Sequence, residues 1–114
     1  MAGRVVLFVS RSDATTLRVA GSCALAAVAR NDRVDAFIFG PAVTAVVEAH
    51  DDRDHPAALL QQARATGGCR LLGCSASIVE AKVEPSRAEA ALDAVVGWPT
   101  VLEWTSGVVE RFFF

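Results

Sequence analysis

Cys69-Arg70-Leu71-Leu72-Gly73-Cys74-Ser75-Ala76-Ser77 is the stretch on which the fold turns. Arg70 to Gly73 form a short apolar run without alternation, the pattern of a parallel strand covered on both faces. The run ends at once in a thiol, followed by small and hydroxyl residues that open a helix. Ligands of α/β proteins gather outside the carboxyl ends of parallel strands, so a reactive side chain at such a junction is placed for chemistry. Cys74 is therefore the first candidate functional residue.

Working outward from this stretch, strands and helices alternate. Upstream, Arg4-Val5-Val6-Leu7-Phe8-Val9 reads as a buried strand, and Ser12 or Asp13 then caps a helix that runs to about Arg30. Leu17, Ala20, Gly21, Ala24, Leu25 and Val28 recur along it at spacings of three and four, a stripe of mostly small side chains that lets the helix lie close to a neighbour. Asn31 suits its carboxyl cap. Val34 to Phe39 forms a second strand, and Gly40-Pro41 opens a helix to about Ala49. The polar segment His50 to His55 is a loop, and Pro56 starts a third helix that Gly67-Gly68 ends.

Downstream of Cys74 the pattern predicts a short helix over Ala76 to Lys82. Ser86 and Glu89 have the spacing of a capping box, which would start another helix reaching to near Gly97. Trp98 to Trp104 then reads as a fourth strand, or a strand with a short helical piece, with Pro99 confining it to a strand start or an edge. Val108 to Phe114 reads as the fifth. Strands alternating with helices of these lengths imply right-handed crossovers. The expected architecture is one α/β domain over residues 1–114, a three-layer sandwich with about five mostly parallel strands and helices on both faces.

Composition limits the functional classes. The chain has 114 residues, 11 Lys plus Arg against 13 Asp plus Glu, and a formal net charge of -2. With a pI near 5.6 it offers no basic field for nucleic acid. An apolar fraction of 53% and a mean hydropathy of +0.37 are high for a domain this small, which suggests apolar surface buried between subunits. The uncharged runs fall short of the roughly 18 to 20 residues that span a bilayer, and no signal-peptide pattern is present. Three cysteines are an odd number at low density, so a disulfide framework is not indicated and a reducing, cytoplasmic setting is expected.

Each candidate site residue has a functional and a plainer reading. A thiol at a strand end and helix start feels free amides and the helix dipole, which favour the reactive thiolate; otherwise Cys74 is a small packed side chain. Cys69 lies roughly 16 Å from Cys74 along an extended strand, beyond the roughly 4.4 to 6.8 Å that a disulfide needs. Cys23, mid-helix among alanines, reads as packing. Arg11, with Ser10 and Ser12, follows strand one and would share a sheet edge with Cys74 if strands one and three were neighbours. There it could hold a thiolate or a small anionic sulfur species; otherwise it is a solvated loop residue. Ser75 and Ser77 join Arg11, Ser10 and Ser12 as candidate anion-binding residues, and read otherwise as helix caps and not as nucleophiles, since no histidine is placed to activate them.

His50 and His55 flank three aspartates without the paired ligand spacing of a zinc site, so no metal is expected. The Ser10 to Thr16 loop has the hydroxyls of a flavodoxin phosphate loop but no glycine, and no cofactor is expected. Trp98, Trp104 and Phe112-Phe113-Phe114 concentrate aromatic area late in the chain, as core or as a subunit contact.

Taken in order, Val5-Val6-Leu7-Phe8-Val9, the alanine-rich helix through Ala29, Leu71-Leu72-Gly73-Cys74-Ser75-Ala76-Ser77, and Leu102-Glu103 followed by Val108 to Phe114 resemble the DsrE/DsrF-like family of small sulfur-relay proteins. Its most specific piece is the strand-end cysteine with a serine three positions on, Cys74 and Ser77. The resemblance implies a flavodoxin-like α/β sandwich, assembly into homo- or hetero-oligomers such as trimers and hexamers, and sulfur carried as a persulfide on Cys74 between a donor and an acceptor. A non-catalytic binding or assembly module of the same fold, and a flavin or nucleotide binder, are the competing expectations.

Overall fold

Five segments supply the strands of the computed structural model, which describes residues 3–107 and 109–114. They are β1 (Arg4–Val9), β2 (Arg33–Ile38), β3 (Cys69–Cys74), β4 (Ala94–Val96) and β5 (Glu110–Phe113), and every neighbouring pair is parallel. The helices are α1 (Ala14–Ala29), α2 (Ala42–Glu48), α3 (Ala58–Ala65), α4 (Ser75–Glu80), α5 (Pro85–Ala91) and α6 (Trp98–Trp104). The result is a three-layer α/β sandwich, flavodoxin-like in its layers, with strand order β4-β3-β2-β1-β5.

That order follows from the handedness of the crossovers. From β1 to β4 each connection advances the same way across the sheet, so right-handed crossovers lay α1 to α5 on one face. Val5, Leu7 and Val9 of β1 and Val34, Ala36 and Ile38 of β2 meet Leu17, Val43, Leu60 and Ala88 there in the main core. The last connection returns past three strands and carries α6 to the opposite face. Val6, Phe8, Phe37, Leu72 and Cys74 pack there against Val101, with Trp104 at the margin. One face is thus covered by five helices and the other by one.

Small residues set the spacing of the larger layer. Gly21 of α1 lies against α3 so closely that a Cβ built on it would stand 2.4 Å from Leu59 Cβ and 3.0 Å from the Leu60 nitrogen. The expected start of α1 holds, Asp13 Oδ2 accepting from the Thr16 amide at 3.0 Å; its C-cap is Arg30, with Asn31 one residue beyond it in the left-handed conformation at φ 66°.

α6 is fastened to its face by charge. Asp35, buried on β2, takes Arg70 Nε at 2.8 Å and has Arg4 Nη2 at 3.7 Å. Arg4 also donates to the Trp104 carbonyl at 2.8 Å, one of the carbonyls that the end of α6 leaves unpaired. The Arg70 guanidinium lies 5.1 Å from the centroid of the Trp104 ring.

Four expectations about the elements need correction. The fourth strand is Ala94–Val96, and Trp98–Trp104 is helix α6. Gly97, in extended conformation, precedes it, and Pro99 falls in its first turn, where proline lacks no needed bond. β4 escapes sequence reading because three residues follow an alanine-rich helix without a break; Asp93 starts the strand by donating its amide to the Leu71 carbonyl oxygen at 2.8 Å and accepting from the Leu71 amide on its carboxylate at 2.8 Å. The Ser86–Glu89 capping box does not form, because Pro85 begins α5 and holds Glu84 extended as the N-cap. Ser75 and Ser77 do not cap α4, whose N-cap is Cys74 itself, with no side-chain cap bond. The fifth strand spans Glu110–Phe113; Val108, included in the expected strand, lies outside the described residues.

Candidate functional site

Cys74 occupies a defined point of the topology. β3 leaves its carboxyl end toward α4 and α5 on the main face, while its neighbour β4 leaves toward α6 on the other. Adjacent strands whose connections depart to opposite faces open a crevice at their carboxyl ends, the usual ligand position of open α/β sheets. Cys74 pairs with Val96 at that edge. The two exits meet there: a Cβ on Gly97 would lie 3.8 Å from Ser75 Oγ.

The thiol itself faces the α6 side. Side chains alternate along β3, so Leu72 and Cys74 point to one face while Leu71 and Gly73 point to the other. Cys74 is 4% exposed and belongs to the buried cluster of Val6, Phe8, Phe37, Leu72 and Val101, against which Phe39 and Val96 also pack. Phe39 and Trp98 close this cluster from outside, their rings 5.4 Å apart at 73°. Trp98 also meets Phe37 edge-on at 5.0 Å.

Ser77 is a positioning group. Its hydroxyl accepts from the Gly40 amide at 2.8 Å, tying the loop after β2 to α4 just beyond Cys74. Gly40 needs its φ of +58° to make that turn. Ser75 is exposed in the first turn of α4.

The loop after β1 does not converge on the thiol. Strand β2 stands between β1 and β3, so the condition for placing Arg11 beside Cys74 is not met: two strand spacings, roughly 9.5 Å, intervene. Ser10 and Arg11 instead line a crevice at the carboxyl end of β1, and Ser12 lines another with Glu48 and His55. Ser10 donates its amide to the Phe114 carbonyl oxygen at 2.8 Å and its hydroxyl to the same atom at 3.3 Å. Asp13 already occupies the amide end of α1, taking both the amide and the hydroxyl of Thr16. These bonds hold its carboxyl below the ordinary value. A phosphate at this loop would therefore face a fixed carboxylate, which argues against a flavodoxin-like phosphate site.

The other thiols are structural. Cys69 points into the main core at the opposite end and face of β3 from Cys74, and all three cysteines are free. Burial, with smaller contributions from Asp35 and Asp93, pushes the Cys69 thiol up to about 12. The folded state thus holds this proton more tightly than the unfolded chain, so the stability involved is complete below the ordinary value near 9 and declines as pH rises toward 12. At most about 1.4 kcal/mol is lost per pH unit inside that window. Because the chain has no tyrosine and Lys82 is its one lysine, few other groups obscure the effect. Urea melts between pH 8 and pH 11 should show a fall in stability that is markedly smaller in Cys69→Ala; equal slopes would contradict the assignment.

The polar loop forms local contacts only. His55 Nδ1 accepts from the Ala57 amide at 3.0 Å, and its Nε2 lies 3.7 Å from Glu48. Among the described residues no group of three His, Cys, Asp or Glu is placed to hold a metal ion, and none of the helices is long and apolar enough to cross a membrane.

Two contributors at the site are not marked in the sequence. Trp98 reads as a strand residue until its helix is known, although Gly97 before it and Pro99 after it are signals for a helix start. Phe39 reads as the last strand residue and is instead a wall beside Cys74.

No family model matches the chain, and no curated protein matches it. Among solved structures, the protein of unknown function MTH1491 from Methanobacterium thermoautotrophicum matches with a TM-score of 0.67 and 16% identity, over 96% of this chain and 98% of that one. The likeness establishes a shared fold over nearly the full length of both.

Proposed function

We propose that this chain is a DsrE-like sulfur-relay protein that carries sulfane sulfur on Cys74. The observation that supports the reading is the position of Cys74 as the last residue of β3 and the N-cap of α4, at the point where the connections of β3 and β4 part. In this reaction the Cys74 thiolate attacks the outer sulfur of a donor persulfide. A new sulfur–sulfur bond forms on Cys74, the donor's sulfur–sulfur bond breaks, and the donor leaves as a thiolate. An acceptor nucleophile then takes the outer sulfur and returns Cys74 to the thiolate. The free amides at the start of α4 supply the electrostatic support. Arg11 lies too far off to share in it. Because Cys74 is buried in the largely aromatic cluster of the α6 face, transfer requires that cluster to open.

The family resemblance extends the proposal to a cytoplasmic homo-oligomer, a trimer or hexamer, working with a donor and an acceptor protein. Exposed Val95, Leu102, Phe112 and Phe113 support assembly.

The burial of Cys74 at 4% exposure favours a second reading, a non-catalytic binding or assembly module with the cysteine packed. Intact-mass spectrometry after incubation with a small persulfide donor separates the two. The carrier gains the mass of one sulfur atom, and Cys74→Ala loses that gain while Cys69→Ala keeps it. A packed cysteine shows no gain and is alkylated only at the rate of global unfolding.

A further inference from the structure

We propose that the crevice at the carboxyl ends of β1 and β5 binds a small aromatic monocarboxylate, with Arg11 holding the carboxylate and Phe113 and Phe39 holding the ring. The crevice has a volume of about 440 Å³, within the roughly 300 to 1,000 Å³ of small-molecule sites. Cys74 does not line it, although Phe8 and Phe39 belong also to the cluster around the thiol, and the inference does not depend on the sulfur-relay reading.

The walls select a flat apolar body. Phe113 stacks on the buried Phe8 at 4.9 Å with the planes 11° apart, which fixes the Phe113 ring as a wall of the crevice. Phe113 is 74% exposed although it belongs to that stack. A further ring laid on this surface gains the offset contact that aromatic pairs prefer.

The polar side selects one negative charge. Arg11 makes no hydrogen bond or ion pair with any other of the described residues, and it stands at the rim of the aromatic surface. A guanidinium offers a planar pair of donors that matches a carboxylate. The remaining polar groups are largely committed, Ser10 to the Phe114 carbonyl oxygen and Thr16 to Asp13, while the Thr15 hydroxyl on the lining has no partner among the described residues. Asp13 lies close enough to Arg11 to feel its charge. Asp13 offsets part of the Arg11 charge, so a ligand here needs its ring contact as well as its carboxylate, and a compact dianion, with no ring and twice the charge to set against the Asp13 carboxylate, is excluded. Phosphate and sulfate are disfavoured for that reason.

Phenylacetate tests the proposal directly, followed by amide chemical shifts of the full chain at several protein concentrations. Saturable shifts are expected at Arg11, Thr15 and Phe113. Phenylacetamide, which keeps the ring and removes the charge, should bind about tenfold more weakly, as should acetate, which keeps the charge and removes the ring. Arg11→Gln should weaken phenylacetate about tenfold and leave phenylacetamide unchanged; Arg11 is exposed, so the variant folds. Phe113→Ala should weaken both, and Cys74→Ala neither. Equal binding of phenylacetate and phenylacetamide, tighter binding of inorganic phosphate, or unchanged affinity in Arg11→Gln would overturn the assignment. So would affinity that falls as protein concentration rises, because a second copy of the chain would then be the true occupant.

Discussion

Gly21→Ala should destabilise the protein by about 3 kcal/mol, lowering the melting temperature by about 12 °C, even though alanine is the better helix former. Propensity alone predicts a gain of up to about 1 kcal/mol at a helical position. Packing overrides it. The new Cβ would stand 2.4 Å from Leu59 Cβ, and the next nearest atoms, the Leu60 nitrogen at 3.0 Å and the Leu59 carbonyl carbon at 3.1 Å, are backbone. Backbone cannot rotate out of the way as a side-chain tip can, so α1 and α3 would have to separate and loosen Leu17, Leu60 and Ala63 between them. Ser22→Ala, one residue on and exposed, is the control; it should change stability by less than about 0.5 kcal/mol. Equal melting temperatures for the wild type and Gly21→Ala would refute the close contact.

Phe37→Ala should cost about 3 to 5 kcal/mol, a large part of the 5 to 15 kcal/mol typical of a domain. Phe37 is 1% exposed and sits at the centre of the α6 face. It meets Phe8 at 6.3 Å, Phe39 at 5.4 Å and Trp98 at 5.0 Å. One helix covers this face, so little can collapse into the space left by the ring. The same substitution should change the surroundings of Trp98 and open the side of the cluster that shields Cys74. Chemical denaturation followed by tryptophan fluorescence gives the stability, and the native alkylation rate of Cys74 gives the access. Phe37→Leu, which keeps most of the volume, should lose less than about 1.5 kcal/mol and leave Cys74 protected. An alkylation rate unaffected by Phe37→Ala would show that the aromatic cluster does not control the thiol.

Both expectations rest on features that the sequence shows unequally. Gly21 belongs to a stripe of small residues visible from spacing alone, but which helix lies against it is decided by tertiary structure. Phe37 reads plainly as a buried strand residue; that its ring faces the thinly covered side depends on the sheet order. β4 was hidden because three residues carry too little periodicity to compete with the alanine run before them. α6 was hidden because tryptophan and proline favour strand edges until a preceding extended glycine makes them a helix start.

The sequence by itself determined the α/β class, the first three strands, the long small-faced helix capped by Asp13, and the placement of Cys74 where β3 becomes α4. Those properties are local: they follow from uninterrupted β-branched runs, helical spacing and cap residues. Tertiary structure alone decided that β2 separates Arg11 from Cys74, that α6 crosses to the other face and covers the cluster that holds the thiol, and that Arg11 gathers with four phenylalanines around a different crevice. Neighbour relations among strands depend on crossover direction across the whole sheet, which no short stretch of sequence encodes.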